Sequence, residues 1–316
     1  MKIKNSKIIV AALSLSMILS ACGNKDNSND GSNGSNPTEN ASTASEKKEG
    51  ENTKANEEDF DISVVSREDG SGTRGAFIEL VGLEEEKDGE KKDLTTDEAV
   101  VQNSTNGVMQ TVSQDPSAIG YVSLGSVNDN VKKVKVDGAE ATEENIESGA
   151  YTLQRPFNLA FKEDKLDDLA KDFLAFVLSK DAQEIVEKEG YIKVEAKDYE
   201  GKKIKGDLTI AGSTSVTPLM EKLVEKYKDV NPDANIEIQS TGSSSGIEAC
   251  IDGAAQIAMA SRELKDEEKA NVQGTVLAQD GIAVVVNKEN ALEDISLEQI
   301  KSIFKGEIQD WKELAK

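Results

Sequence analysis

A loop rich in hydroxyl groups and glycines marks one place where the chain could bind an anion. The stretch SREDGSGTRGAF, residues 66–77, combines Arg67, Ser71, Gly72 and Thr73 between two apolar runs. If the first run is a strand and the second a helix, the loop amides lie at a helix N-terminus. Unpaired N–H groups and the positive end of the helix dipole favour an anion there. A single loop of this kind also fits a turn that caps a helix, so the rest of the chain must decide.

Two further loops repeat the pattern. GSTSVTP, residues 212–218, follows the apolar run 208–211, and STGSSSG, residues 240–246, follows the run 236–238. Because strands of an open α/β sheet present their carboxyl ends at one edge, we expect the three helix N-termini to converge on one ligand. None of the loops fits G-x-x-x-x-G-K-[ST], so the pattern does not indicate a nucleotide P-loop.

Charge and composition exclude several classes of function. The chain has 316 residues, a formal net charge of −23 and no histidine. Without histidine there is no Ser-His-Asp arrangement and no usual general base. The acidity argues against a nucleic-acid partner, because binding to a phosphate backbone needs a basic face. We therefore expect no enzymatic activity, no metal and no cofactor, and we expect carboxylate pairs such as Glu267-Glu268 to be solvated.

The first 59 residues are expected to precede the folded body. Residues 1–22 join a basic start to an apolar stretch and end in LSAC, which is similar to a bacterial lipobox. This predicts a lipoprotein signal peptide, with Cys22 as the lipid-modified first residue of the mature protein. Residues 23–59 are mostly small, polar and charged, which predicts a disordered tether. With Cys22 lipidated, Cys250 has no disulfide partner and is expected to be a buried thiol.

From Asp61 onward, short β-branched runs alternate with amphipathic segments, which predicts an α/β fold. The helical segments are 166–186 and a helix that begins at Thr217-Pro218 and ends at Asn231-Pro232. The predicted strands are 62–65, 118–124, 131–136, 157–161, 208–211, 236–238, 256–260 and 281–287.

Six stretches resemble the substrate-binding protein of Pst-type phosphate ABC transporters. They are AGSTSVTPLMEKL, GSSSGIEACIDGAAQIAMASREL, DGIAVVVN, ISLEQIKSIFKGEIQDWKEL, VVSREDGSGTRGAF and NGVMQTVSQDPSAIGYVSLG, which together cover most of residues 61–195 and 206–316. The resemblance implies a two-lobed periplasmic-binding-protein-like fold of type II that closes on one inorganic phosphate ion. It also implies a monomeric receptor, lipid-anchored on the extracytoplasmic face of the cell membrane, that delivers phosphate to ABC transporter permease subunits.

The resemblance also implies roles for individual residues. Asp69 matches an acidic residue that braces the arginine. Some family members have Ser-Asp where this chain has Ser261-Arg262, and their aspartate accepts a proton from the ligand. Arg262 is therefore expected to support the site, and its side chain could face the ligand or point away. The group that accepts the ligand's proton is left open as well. The implied phosphate-binding residues are Arg67, Ser71, Gly72, Thr73, Thr214, Ser215, Ser243 and Ser261.

The two halves stand in the reverse of the family's order, which we interpret as a circular permutation. The usual chain ends would be joined through the polar segment 195–206. Lobe one is then expected at 150–288, and lobe two at 60–149 plus 289–316. The strand that begins at Asp61 is expected to lie beside Trp311–Leu314 of the same chain, although a swapped dimer is the other possibility.

Two other functions remain open at this point. The chain could bind another tetrahedral oxyanion, such as sulfate or molybdate, through the same donors. It could also be a signalling or adhesive surface lipoprotein that retains the fold without transport.

Overall fold

The described part of the chain is an α/β body built on one long mixed sheet. The computed structural model describes residues 61–87 and 90–315, which belong to one compact unit spanning residues 57–316. The signal peptide 1–22, Cys22 and the tether 23–59 lie outside the described residues, so these assignments stay predictions. No helix in the described ranges is both long and apolar enough to cross a bilayer.

The first segment of the body carries three helices and seven strands. In chain order they are β1 (Ser63–Arg67), α1 (Gly72–Val81), β2 (Glu84–Lys87), β3 (Glu90–Asp93), β4 (Val100–Gln102), α2 (Thr105–Gln114), β5 (Ala118–Ser123), β6 (Lys132–Lys133), β7 (Lys135–Val136) and α3 (Glu143–Glu147).

The remaining elements complete the body. They are β8 (Gln154–Phe161), α4 (Asp168–Val177), α5 (Lys180–Lys188), β9 (Ile192–Lys193), β10 (Gly206–Gly212), α6 (Thr217–Val230), β11 (Ala234–Ser240), α7 (Ser243–Asp252), β12 (Ile257–Ala260), α8 (Asp266–Lys269), β13 (Gln273–Val286), β14 (Asp294–Ile295) and α9 (Leu297–Phe304).

Strand β13 links two halves of the sheet. The strand order is β11-β10-β12-β8-β13-β5-β1-β4, with β6 and β9 also paired to β13. Residues 273–281 of β13 pair with β8, and residues 282–286 pair with β5. The Ile282 N–H donates to the Leu153 carbonyl oxygen (2.7 Å), so the two crossings lie side by side.

Each half of the sheet has its own apolar core. One core gathers residues from 64–153 and 282–304, including the stacked rings of Phe77 and Tyr121, whose centroids lie 3.9 Å apart. The largest core of the other half gathers residues from 157–278, including Phe173 and Tyr227. We name the first half lobe two and the half formed by 154–281 lobe one. The expected lobe boundaries at 150 and 289 lie a few residues from these crossings. The division of the body into two domains remains a prediction.

Local capping explains where the helical prediction was wrong. The segment 166–186 is two helices, α4 and α5, because the Ser179 hydroxyl accepts a hydrogen bond from the Ala182 N–H (3.2 Å) and starts a new helix. Strand β13 begins at Gln273, well before the predicted 281. Strand β4 and the charged hairpin β2–β3 were not predicted, since neither has an alternating apolar pattern.

The two ends of the body meet within one chain. Asp61 and Asp310 form an antiparallel bridge, and the Ile62 N–H donates to the Gln309 carbonyl oxygen (2.6 Å). The strand from Asp61 therefore lies beside the last turn, Trp311–Ala315, as a single-chain closure requires. The permuted order itself stays a prediction.

Candidate anion-binding site

Four helix N-termini of the described chain line one cleft. Helices α1 and α2 follow the parallel strands β1 and β4 of lobe two, and α6 and α7 follow the parallel strands β10 and β11 of lobe one. Serine caps start two of them, because Ser71 accepts from the Arg74 N–H (3.3 Å) and Ser104 accepts from the Gly107 N–H (3.0 Å). The three loops singled out in the sequence are thus brought together, and the N-terminus of α2 joins them.

Hydroxyl groups from both lobes hydrogen-bond across this cleft. Ser215 Oγ of lobe one lies 2.8 Å from Thr73 Oγ1 and 3.0 Å from Thr105 Oγ1, both of lobe two. All three side chains are buried. The cleft is therefore closed by small polar groups rather than by apolar packing, which suits a small, strongly hydrogen-bonding ligand.

A second set of hydroxyls lies in lobe one beneath α1. Ser213 Oγ donates to Ser261 Oγ (2.9 Å), and the Ser261 N–H donates to Ser243 Oγ (3.2 Å). Gly72 brings the first turn of α1 directly onto these groups, since a Cβ at Gly72 would lie 2.7 Å from Ser261 Oγ. A side chain at Gly72 would therefore displace these hydroxyl groups.

Glycine also seats α7 against the sheet. A Cβ at Gly246 would lie 2.6 Å from the Ala211 carbonyl oxygen of β10. This close approach holds the N-terminus of α7, with Ser243, at the level of the cleft.

Arg67 is the guanidinium group of this cleft. It is 2% exposed, and its Nε and Nη2 bind both carboxylate oxygens of Glu68, at 2.8 and 2.9 Å. Nη2 also donates to Thr214 Oγ1 of lobe one (3.0 Å), and Nε donates to the Gln102 carbonyl oxygen (3.2 Å). Arg67 therefore joins the two lobes at the hydroxyl network.

The placement of Asp69 beside Arg67 was wrong. The Asp69 side chain is 97% exposed and pairs with Arg74 Nη1 (2.7 Å), while Glu68 holds Arg67. The reason is local. Asp69 lies in the turn after β1 and points to solvent, whereas the longer Glu68 side chain reaches the guanidinium of Arg67.

Arg262 faces lobe one rather than the hydroxyl network. It binds both oxygens of Glu268 (2.8 Å each) and donates to Ser244 Oγ (3.1 Å) and the Glu263 carbonyl oxygen (2.9 Å). Glu268 is consequently buried, and its expected solvation was wrong. Burial acts to raise the pKa of Glu268, but hydrogen bonds from Arg262 and Lys265 outweigh burial and hold the pKa below its usual range.

Sequence reasoning missed Glu68, Ser213 and Thr105 as residues of the cleft. Thr105 had the clearest signal, because Ser104 directly precedes the apolar spacing of Val108, Met109 and Val112, as an N-cap does. Ser213 belongs to a loop already singled out.

Comparison with known proteins identifies the family of this chain. A family model of the PBP superfamily domain matches residues 41–181 and 198–316. Phosphate-binding protein PstS 2 of Streptococcus agalactiae is 55% identical over 258 residues, which are 81% of this chain and 88% of that protein. The PstS protein of Bacillus subtilis is 38% identical over only 117 residues, 35% of this chain and 38% of its own length.

A solved structure agrees in fold. The crystal structure of a phosphate-binding protein of a phosphate ABC transporter from Streptococcus pneumoniae is 43% identical, with a TM-score of 0.65. The match covers 80% of this chain and 99% of that chain. The chain therefore belongs to the PBP superfamily and, within it, to the family of phosphate-binding proteins named PstS.

Proposed function

We propose that the chain binds one inorganic phosphate ion between its two lobes. The observation that carries this is the convergence of Arg67 with hydroxyls at four helix N-termini, Thr73, Thr105, Thr214 and Ser243. Family membership supports the choice of ligand, since the S. agalactiae and S. pneumoniae relatives are phosphate-binding proteins.

The chemistry of the cleft fits a tetrahedral oxyanion. Hydroxyls that now bond to one another, such as Ser215 with Thr73, can turn to donate to ligand oxygens instead. The dipoles of four helices and the Arg67 guanidinium balance the anion's charge without a metal. Because Arg67, Thr73, Thr105 and Ser243 are buried, and Thr214 is half-buried, charge-assisted bonds in the cleft are stronger than they would be in water.

Binding serves transport in this proposal, and the chain performs no bond chemistry. The S. pneumoniae relative is the phosphate-binding protein of an ABC transporter, which supports delivery of phosphate to permease subunits. The lipobox at Cys22 supports an anchor on the extracytoplasmic face of the cell membrane. Residues of a single chain can complete the hydroxyl network, as Arg67 does with Thr214, so the proposed receptor is a monomer.

Calorimetric titration with phosphate, sulfate and molybdate tests the ligand. We expect one phosphate ion per chain and weaker binding of the other two. Tighter binding of sulfate or molybdate would assign the site to another oxyanion. No binding of any of the three would contradict a transport receptor and leave a signalling or adhesive surface protein.

We also propose that the chain, like the S. agalactiae relative that aligns with it over 88% of that protein's length, is a circular permutant of the order in other members of the family. The meeting of Asp61 with Asp310 supports this, as does the B. subtilis match to only one part of the chain. A rearranged chain, with residues 61 and 314 joined by a short linker and new ends within 195–206, is expected to fold and to bind phosphate as the native order does. Failure of that chain to fold would contradict the permutation.

A further inference from the structure

A buried ion pair lies in lobe one directly behind the candidate site. Arg155 of β8 and Asp280 of β13 are cross-strand partners, 3% and 0% exposed. Arg155 Nη2 and Nε donate to Asp280 Oδ2, at 3.1 and 3.4 Å. The Ser123 hydroxyl and the Gly125 N–H also face this carboxylate, although Oδ1 forms no hydrogen bond of normal geometry with the described residues.

Arg155 also holds a loop of the anion site. Its Nη1 donates to the Ser261 carbonyl oxygen (2.8 Å), and Ser261 bonds through its hydroxyl to Ser213 and through its N–H to Ser243. The Arg155 guanidinium carbon lies 5.4 Å from the centroid of the Phe157 ring, and this cation–π contact helps to hold the guanidinium in place. Arg155 thus contacts the hydroxyl network through the backbone of Ser261.

The guanidinium groups of Arg67 and Arg155 act on each other. Burial lowers the pKa of Arg155, Asp280 opposes that change, and the positive charge of Arg67 lowers the pKa further. Arg67 and Arg155 are therefore within electrostatic range in a region of low dielectric. An anion bound at Arg67 relieves this repulsion and interacts favourably with Arg155.

We propose that Arg155 is a second cation of the anion site, acting through space, and that Asp280 offsets its charge and so limits how tightly the anion is held. This inference rests on the proposed function for its ligand. Neither residue needs to touch the ligand, since a unit charge on the order of 10 Å away, at an effective dielectric of about 20, changes the affinity for an anion by at least about tenfold.

The test is a pair of substitutions with different expected outcomes, measured by calorimetric titration of phosphate. Asp280→Asn leaves the Arg155 charge uncompensated, because a guanidinium keeps its proton, and is expected to lower the Kd about tenfold. Arg155→Met leaves a carboxyl whose pKa burial already raises, so Asp280 takes up a proton and the Kd is expected to stay within about threefold of the wild type. A merely structural pair would give weaker binding in both variants, and weaker or unchanged binding in Asp280→Asn would overturn the inference.

A double variant separates charge from packing and covers the case in which Arg155→Met does not fold. Arg155→Gln/Asp280→Asn removes both charges, and we expect its Kd to stay within about threefold of the wild type. A tenfold weaker Kd would assign the effect to the lost contact with Ser261 and overturn the role of charge.

Asp172→Asn is the matched control. Asp172 is also buried in lobe one, where Tyr199 and Tyr227 donate to it (3.0 and 2.7 Å), so it reports the effect of removing any buried carboxylate. We expect its Kd to stay within about twofold of the wild type. If the wild type binds no oxyanion, the proposed function fails and this inference fails with it. If the wild type binds phosphate and Asp280→Asn does not bind it more tightly, only this inference fails.

Discussion

Arg67 and Arg262 form two similar ion pairs beside the cleft, yet their remaining contacts differ. Each guanidinium binds both oxygens of a glutamate, Glu68 for Arg67 and Glu268 for Arg262. Arg67 also donates to Thr214 in the opposite lobe. Among the described residues, Arg262 donates to groups of lobe one, namely Glu268, Ser244 and the Glu263 carbonyl oxygen.

The difference teaches that burial and a forked ion pair do not by themselves mark a ligand-binding arginine. What separates the two is the lobe to which the third partner belongs. A residue that joins both lobes is sensitive to closure around a ligand, whereas one confined to a single lobe stabilises that lobe. Mutations of the two pairs should therefore change different measured quantities.

Loss of Arg67 should have the largest effect on binding. Arg67→Ala removes the charge-assisted bonds to the anion, which contribute on the order of 1.5–3 kcal/mol each, so phosphate affinity should fall by about tenfold to a thousandfold. Calorimetric titration measures the Kd, and Arg262→Met serves as the comparison. An unchanged affinity in Arg67→Ala would remove Arg67 from the site.

Loss of Arg262 should instead appear in stability. Arg262→Met leaves Glu268 buried without its partner, and breaking such a pair costs about 3–5 kcal/mol. Urea unfolding of the ligand-free protein measures this change, and we expect the phosphate Kd to shift less than in Arg67→Ala. A greater loss of affinity in Arg262→Met than in Arg67→Ala would reverse the comparison.

The Arg262–Glu268 pair should also make stability depend on pH. The pKa of Glu268 is lowered from its ordinary value of 4.5, so the folded state binds this proton less readily than the unfolded state. The contribution is therefore fully present above pH 4.5 and is lost as the pH falls through the lower folded pKa. In Glu268→Gln, the loss of stability on acidification should be smaller than in the wild type, as urea unfolding over this range would detect.

Thr105 tests whether the second lobe contributes through more than Arg67. Thr105→Val removes the hydroxyl that bonds to Ser215 across the cleft, and phosphate affinity should fall about fivefold to tenfold. Thr152→Val, at an exposed threonine of lobe two, is the matched control and should leave the Kd unchanged. Equal affinities in both variants would exclude Thr105 from the site.

The smallest effect is expected at Asp69. Because Asp69 is exposed and bonded to Arg74, Asp69→Asn should change neither the phosphate Kd nor the preference over sulfate by more than about twofold. A smaller preference for phosphate over sulfate in Asp69→Asn would instead assign to Asp69 the role of bracing Arg67.

The sequence by itself determined the α/β class and the three hydroxyl-rich loops. Short apolar runs followed by Gly/Ser/Thr loops and amphipathic segments carry local signals, because strand periodicity, capping and glycine geometry depend on neighbouring residues. Thr73, Thr214 and Ser243 could be identified in this way. The break at Ser179 was also encoded locally, but the longer apolar spacing from 166 to 186 concealed it.

Only the tertiary structure decided which charged groups meet. Glu68 and Asp69 are adjacent in sequence and chemically alike, yet one is turned toward Arg67 and the other toward solvent. Glu268 and Asp280 are far along the chain from the anion loops of lobe two, and nothing in their sequence context shows that they are buried. Which carboxylate pairs with which guanidinium in lobe one depends on how strands β8, β12 and β13 pair in the sheet. That arrangement is set by packing over the whole body, because burying a charge is tolerated only where the fold supplies its partner.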